Sequence, residues 1–125
     1  MARILIAEDD EAVRTFVSRS LMIDGHEIIT AEDGSDALGV LSHDDKFDIL
    51  LSDIKMPVMD GIALTLNVAR DHPHISILLM TGYADQRERA DGLDAIVEDV
   101  VLKPFSLAQI REAVSDTIEK NSQAA

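Results

Sequence analysis

Four places in the chain set reactive side chains directly after a short apolar run. Glu8-Asp9-Asp10 follow the run ending at Ala7, and Asp53 follows the one ending at Ser52. Thr81-Gly82 follow Met80, and Lys103-Pro104 follow Leu102. Carboxylates gathered in one place repel and raise one another's pKa. A hard divalent cation relieves that conflict, and oxygen-only ligands with open positions suit Mg²⁺. A carboxylate beside such an ion can attack a phosphoryl group. The three equatorial oxygens of that group then need three partners: the metal, the Lys103 ammonium, and the Thr81 hydroxyl with nearby N–H groups. Taken singly, each piece has an ordinary reading. Glu8-Asp9-Asp10 suits a helix start, Asp53 a loop cap, and Thr81-Gly82 and Lys103-Pro104 turns. Only their convergence on one edge argues for chemistry.

The elements that must produce that convergence are legible as alternating short β-type runs and amphipathic stretches. Arg3 to Ala7 is apolar and too short for a globular helix. Glu11 to Asp24 carries Val13, Phe16, Val17 and Leu21 as a helical stripe, stopped by Gly25. Glu27 to Ala31 is rich in β-branched residues, as strands are. Asp33-Gly34 turns into a short helix over Ser35 to Ser42, and Asp48 to Ser52 is a third strand. Ile62 to Arg70 reads as a helix with Ile62, Leu66 and Ala69 on one face, closed by Pro73. Ile75 to Met80 is the fourth strand, Asp85 to Leu93 a charged helix shortened by Gly92, and Val97 to Leu102 contains the fifth strand. Ser106-Leu107-Ala108-Gln109 has capping-box spacing and opens a helix carrying Leu107, Ile110, Val114 and Ile118.

Five β–α units with continuously apolar strands predict an α/β fold: a doubly wound five-stranded parallel sheet with helices on both faces, flavodoxin-like in architecture. Ligands of such sheets bind outside the carboxyl ends of the strands, which is where all four reactive positions fall.

The 125 residues suit one domain, and no linker, repeat or low-complexity segment interrupts them. The expectation is a single domain over residues 1–125 with no output domain. Twenty-four acids against eleven Lys and Arg leave a formal −13, which disfavours nucleic acid and anionic membranes as partners. Cysteine is absent, excluding disulfides and thiolate chemistry. No apolar run approaches the ~20 residues of a membrane span, and the N-terminus is no signal peptide. A cytoplasmic protein is expected.

The chain resembles the receiver domains of two-component response regulators, including the single-domain regulators similar to those of chemotaxis. The resemblance rests on Glu8-Asp9-Asp10, Asp53, the run Met56-Pro57-Val58-Met59-Asp60-Gly61, Thr81 and Lys103-Pro104-Phe105, in order over essentially the whole chain. It implies a phosphorylation-controlled switch rather than a conventional enzyme, with at most self-catalysed phosphotransfer and autodephosphorylation. Asp53 would be the phosphoacceptor. Mg²⁺ would be held directly by Asp10, Asp53 and the Lys55 backbone carbonyl, with Asp9 acting through water. Thr81 would be the switch hydroxyl, Lys103 the cation pairing with the phosphoryl group, and Lys103-Pro104 a cis bond. The implied partners are a histidine kinase or histidine phosphotransfer protein and a downstream protein target, with the chain itself a monomer.

One departure concerns switching. Family members often carry Tyr or Phe three residues before the lysine, where this chain has Val100. Tyr83 is the aromatic residue near Thr81, placed to cover the site or to take part in switching. Competing readings fit less well. A haloacid-dehalogenase-type phosphatase needs a second Asp two residues after the nucleophile, where Lys55 stands. A flavodoxin needs a phosphate loop that is not acidic, and a receiver used only for binding would not need every phosphorylation residue. His26, His43, His72 and His74 read as solvated polar residues, Arg87-Glu88-Arg89 as a solvated helix face, and Met56, Met59 and Met80 as gap-filling core.

Overall fold

The computed structural model describes residues 1–82 and 90–124. Along the chain run β1 (Arg3–Ala7), α1 (Glu11–Met22), β2 (Glu27–Ala31), α2 (Gly34–His43), β3 (Ile49–Asp53), α3 (Gly61–Asp71) and β4 (Ser76–Thr81). A 3₁₀ turn (Asp91–Leu93), β5 (Asp99–Leu102) and α4 (Leu107–Ala124) complete it. The strands form one parallel sheet in the order β2-β1-β3-β4-β5. The expected α/β sheet is therefore present. The charged helix expected over Asp85 to Leu93 lies largely outside the described residues, and its described end is the 3₁₀ turn.

Side chains alternate across the sheet because successive residues of a strand face opposite ways. Ile4, Ile6, Ile49, Leu51, Leu78 and Met80 face α1 and α4, where Val17, Leu21, Ile110 and Val114 meet them. Leu5, Ala7, Leu50, Ile77 and Leu79 face α2 and α3, against Ala37, Leu41, Leu64 and Val68. Burial on both faces explains why the central strands read as unbroken apolar runs.

Helix starts follow local chemistry. Asp10, Asp33 and Asp60 each cap a helix by accepting from the backbone N–H three residues on, at Val13, Asp36 and Ala63. Ser106 and Gln109 form the expected reciprocal box: Gln109 N–H donates to Ser106 Oγ at 3.1 Å, and Ser106 N–H to Gln109 Oε1 at 2.7 Å.

Two helical stripes differ from expectation. In α3 the buried positions are Gly61, Leu64, Thr65 and Val68, while Leu66 is exposed. Apolar residues at 62, 64, 66, 68 and 69 allow more than one face, and close seating of Gly61 on β3 selects this one. Phe16 is also exposed on α1 and pairs with Phe105, ring centroids 6.3 Å apart. Two histidines are less solvated than expected. His26 Nδ1 accepts from Ala2 N–H, and the partly buried His72 pairs with Asp45 at 3.0 Å.

Among the described residues, Thr65 Oγ1 is the buried side-chain polar atom without a hydrogen-bond partner. Thr65→Val keeps the shape and removes a desolvated hydroxyl. It is expected to stabilise the fold by about 1 kcal/mol, read as a rise of about 3–5 °C in melting temperature. An unchanged or lower melting temperature would show that the hydroxyl is satisfied.

Candidate functional site

Parallel strands end on the same edge, so β1, β3, β4 and β5 deliver Glu8, Asp53, Thr81 and Lys103 to one place. An open depression of about 780 Å³ lies there, lined by Glu8, Asp9, Asp10, Asp53, Lys55 and Lys103 together with Phe16, Pro104 and Phe105. Backbone bonds fix the approaches. Glu8 N–H donates to Ala31 O at 3.0 Å, and Lys103 N–H to Thr81 O at 2.8 Å. The Lys103-Pro104 bond is cis, as the resemblance implied.

Lys103 Nζ stands 3.1 Å from Asp53 Oδ2 and 3.4 Å from both Glu8 oxygens. Glu8, Asp9 and Asp53 each bring a carboxylate oxygen within 4.8 Å of the others, the pattern of a cation site made of oxygen donors. Asp10 lies outside this group. Its Oδ1 accepts from Val13 N–H at 3.0 Å, because it is the residue immediately before the first turn of α1. The structure thus brings Glu8 together with Asp9 and Asp53, while Asp10 lines the same depression from the start of α1. Thr81 is buried at the end of β4, and Gly82 lines the depression beside Lys103. Tyr83 and Arg87-Glu88-Arg89 fall outside the described residues. Val100 packs partly buried against the core on the α2–α3 side.

The charges in this pocket are out of balance. Burial, followed by the neighbouring Asp53 carboxylate, pushes the Glu8 carboxyl up to about 8, with Lys103 opposing. Burial works against the Lys103 ammonium, yet Asp53 and Glu8 outweigh it and hold its pKa above the ordinary lysine value.

The Glu8 shift has a sign that can be checked. Between its ordinary value of 4.5 and about 8, the metal-free folded protein keeps a proton that the unfolded chain has released. Stability is therefore fully present below the lower value and is lost as pH rises through the upper one. Melts in a chelator from pH 5 to 9 should show a fall on the order of 2–4 kcal/mol. Glu8→Gln should flatten most of that slope. A slope unchanged in the variant would place the titration elsewhere.

The loop after β3 seats that strand against α3. Gly61 N–H donates to Ile54 O at 2.8 Å. A Cβ on Gly61 would lie 2.0 Å from the Asp53 carbonyl oxygen, so only glycine fits. Within that loop Val58 has φ of 67° and Met59 N–H donates to Pro57 O at 2.7 Å, a tight three-residue turn in a strained conformation. The sequence marks Gly61 only as the end of the Met56–Gly61 run, without its close packing on β3, and assigns Ser52 no role. The glycine directly after a helix-capping aspartate was the available signal for the first.

Comparison with known proteins agrees with this geometry. The sequence profile of the response regulator receiver domain matches residues 4–115. The chain belongs to the response regulator receiver domains. Response regulator protein FleR of Pseudomonas aeruginosa is 32% identical over 91% of this chain and 24% of its own length. Chemotaxis response regulator CheY4 of Vibrio cholerae superposes with a TM-score of 0.84 at 28% identity, covering 94% of this chain and 98% of its own. Response regulator protein TrrA of Thermotoga maritima, solved in complex with Mg²⁺–BeF, gives 0.83 at 28% identity, covering 94% and 99%. This receiver domain spans between 24% and 48% of the length of the curated relatives first matched. No helix among its described residues is long and apolar enough to cross a membrane.

Proposed function

We propose that this receiver domain accepts a phosphoryl group on Asp53 from the phosphohistidine of a histidine kinase or phosphotransfer protein, and that another protein reads the resulting surface. The observation that carries the reading is the placement of Lys103 Nζ 3.1 Å from Asp53 Oδ2 beside two further carboxylates. An Asp53 oxygen attacks phosphorus, an O–P bond forms and the donor's N–P bond breaks. The electron pair stays on the histidine nitrogen, which takes a proton from solvent. Lys103 pairs with one phosphoryl oxygen, and the Thr81 hydroxyl closes on another, taking the switch role with Tyr83 as its neighbour in sequence.

Mg²⁺ fits the donor set. Three carboxylates meet one ammonium, and the pKa of the Glu8 carboxyl is raised first by burial and then by the neighbouring Asp53 carboxylate. Asp9, Asp53 and the Lys55 carbonyl are the proposed direct or water-mediated ligands, with Glu8 beside them and Asp10 left as the cap of α1. The TrrA complex with Mg²⁺–BeF supports that choice of ion. When bound, Mg²⁺ neutralises charge on the transferring group. A net charge of −13 favours a protein over nucleic acid or an anionic membrane as the target. A cytoplasmic monomer is the working state.

Incubation with acetyl phosphate tests the reading. A single phosphoryl group should appear in the intact mass with Mg²⁺ and be lost in a chelator. Mg²⁺ should also raise the melting temperature by mass action, a rise that Asp9→Ala loses and Asp10→Ala largely keeps. Labelling that ignores the metal would overturn it.

A further inference from the structure

Ser52 interrupts an otherwise apolar strand one residue before the acceptor. It is fully buried, and its Oγ donates to the Asp53 carbonyl oxygen at 2.8 Å. A buried hydroxyl in such a strand costs free energy unless it is paired, and here its partner is the backbone of the next residue. The other end of the same peptide is also held, because Ile54 N–H donates to Met80 O at 3.1 Å. Gly61 donates to the following carbonyl, that of Ile54, at 2.8 Å. The peptide plane leaving Asp53 is therefore bonded at both its oxygen and its nitrogen, and α3 abuts it through a residue without a side chain. That plane fixes the torsion between the Asp53 carbonyl and its Cα–Cβ bond. It thereby sets the direction of the Cα–Cβ bond from which the carboxylate reaches Lys103 Nζ, 3.1 Å away.

We propose that Ser52 is a positioning residue for phosphoryl acceptance: its hydroxyl, bonded to the Asp53 carbonyl, sets the backbone torsion that aims the Asp53 carboxylate at the incoming group. This rests on the reading of Asp53 as the acceptor. It separates Ser52 from a residue that merely satisfies a strand-end carbonyl, whose loss would lower stability and leave the rate in the folded protein alone.

The experiment is labelling by acetyl phosphate in saturating Mg²⁺, followed across donor concentrations, on the parent, Ser52→Ala, Val17→Ala and Asp53→Asn. Val17 is fully buried between α1 and the sheet and does not line the site, so Val17→Ala is the destabilised control. Ser52→Ala should lower the limiting rate about five- to tenfold with little change in the half-saturating donor concentration. It should also speed hydrogen exchange at the Ile54 amide. Val17→Ala should label within about twofold of the parent. The proposal is overturned if Ser52→Ala labels within about twofold of the parent, or if Val17→Ala loses as much rate as Ser52→Ala. Should Ser52→Ala not fold, Ser52→Cys substitutes a weak donor of similar size, with the same two outcomes. Asp53→Asn should stay unlabelled. If it labels like the parent, the acceptor reading fails and this one with it, whereas an unlabelled Asp53→Asn beside an unaffected Ser52→Ala sinks the positioning role alone.

Discussion

Asp53→Asn is expected to give no phosphorylated product under conditions that label the parent to completion, a loss of at least about 100-fold in rate. The substitution changes one atom and keeps the side-chain shape, so the strand, the ladder from Asp53 to Met80 and the helix start at Gly61 remain. What disappears is the anionic oxygen that must form the bond to phosphorus, because an amide is a far poorer nucleophile. The change has a second readout. Asp53 is one of the causes that raise the Glu8 pKa. Removing its charge should bring that pKa down toward the ordinary range and weaken the pH dependence of the metal-free melt. An Asp53→Asn protein that still labels while its Glu8 titration has moved would mean that another carboxylate is the acceptor. Asp9 would then be the first to map by mass spectrometry.

Convergence of the reactive groups was legible because it follows from topology: in a parallel sheet every strand exits on one edge. Residues that sit at those exits, namely Asp53, Thr81 and Lys103, could be located from the apolar runs before them. The direction of a side chain within a run of acids could not. Glu8-Asp9-Asp10 offers three carboxylates in a row, and spacing alone does not say which turns inward. The helix read from Glu11 makes Asp10 its cap, and one of its two carboxylate oxygens accepts from Val13 N–H. The face of α3 was illegible for another reason. Its apolar residues satisfy several helical registers, and the choice among them is made by a backbone contact with β3 that no hydrophobic pattern encodes. The hydroxyl of Ser52 was passed over because a serine within an apolar strand reads as a tolerated polar residue until its partner is seen.

That backbone contact carries a large expected stability effect. Gly61→Ala adds a single carbon, and in the present structure it would lie 2.0 Å from the Asp53 carbonyl oxygen, 2.9 Å from the Asp53 carbonyl carbon and 2.9 Å from Ile54 Cα. All three are backbone atoms of a buried strand, so no rotamer change relieves the overlap. Either α3 withdraws from the sheet or β3 shifts. Withdrawal loosens the seating of Leu64 and Val68, and a shift disturbs the pairing of Asp53 with Met80. Alanine is the better helix former, which returns less than about 1 kcal/mol. Overpacking against backbone should outweigh that gain and leave a net loss of about 3 kcal/mol, a fall of about 10 °C in melting temperature. Gly39, on the exposed side of α2, is the matched control, since a Cβ there meets nothing within 4 Å. Gly39→Ala should leave stability unchanged or raise it by up to about 1 kcal/mol. If the two alanine variants melt within a degree or two of each other, β3 and α3 are not in the close contact described. The fall for Gly61→Ala should also bring slower labelling of Asp53, the proposed acceptor, because the strand that moves is the one that holds it.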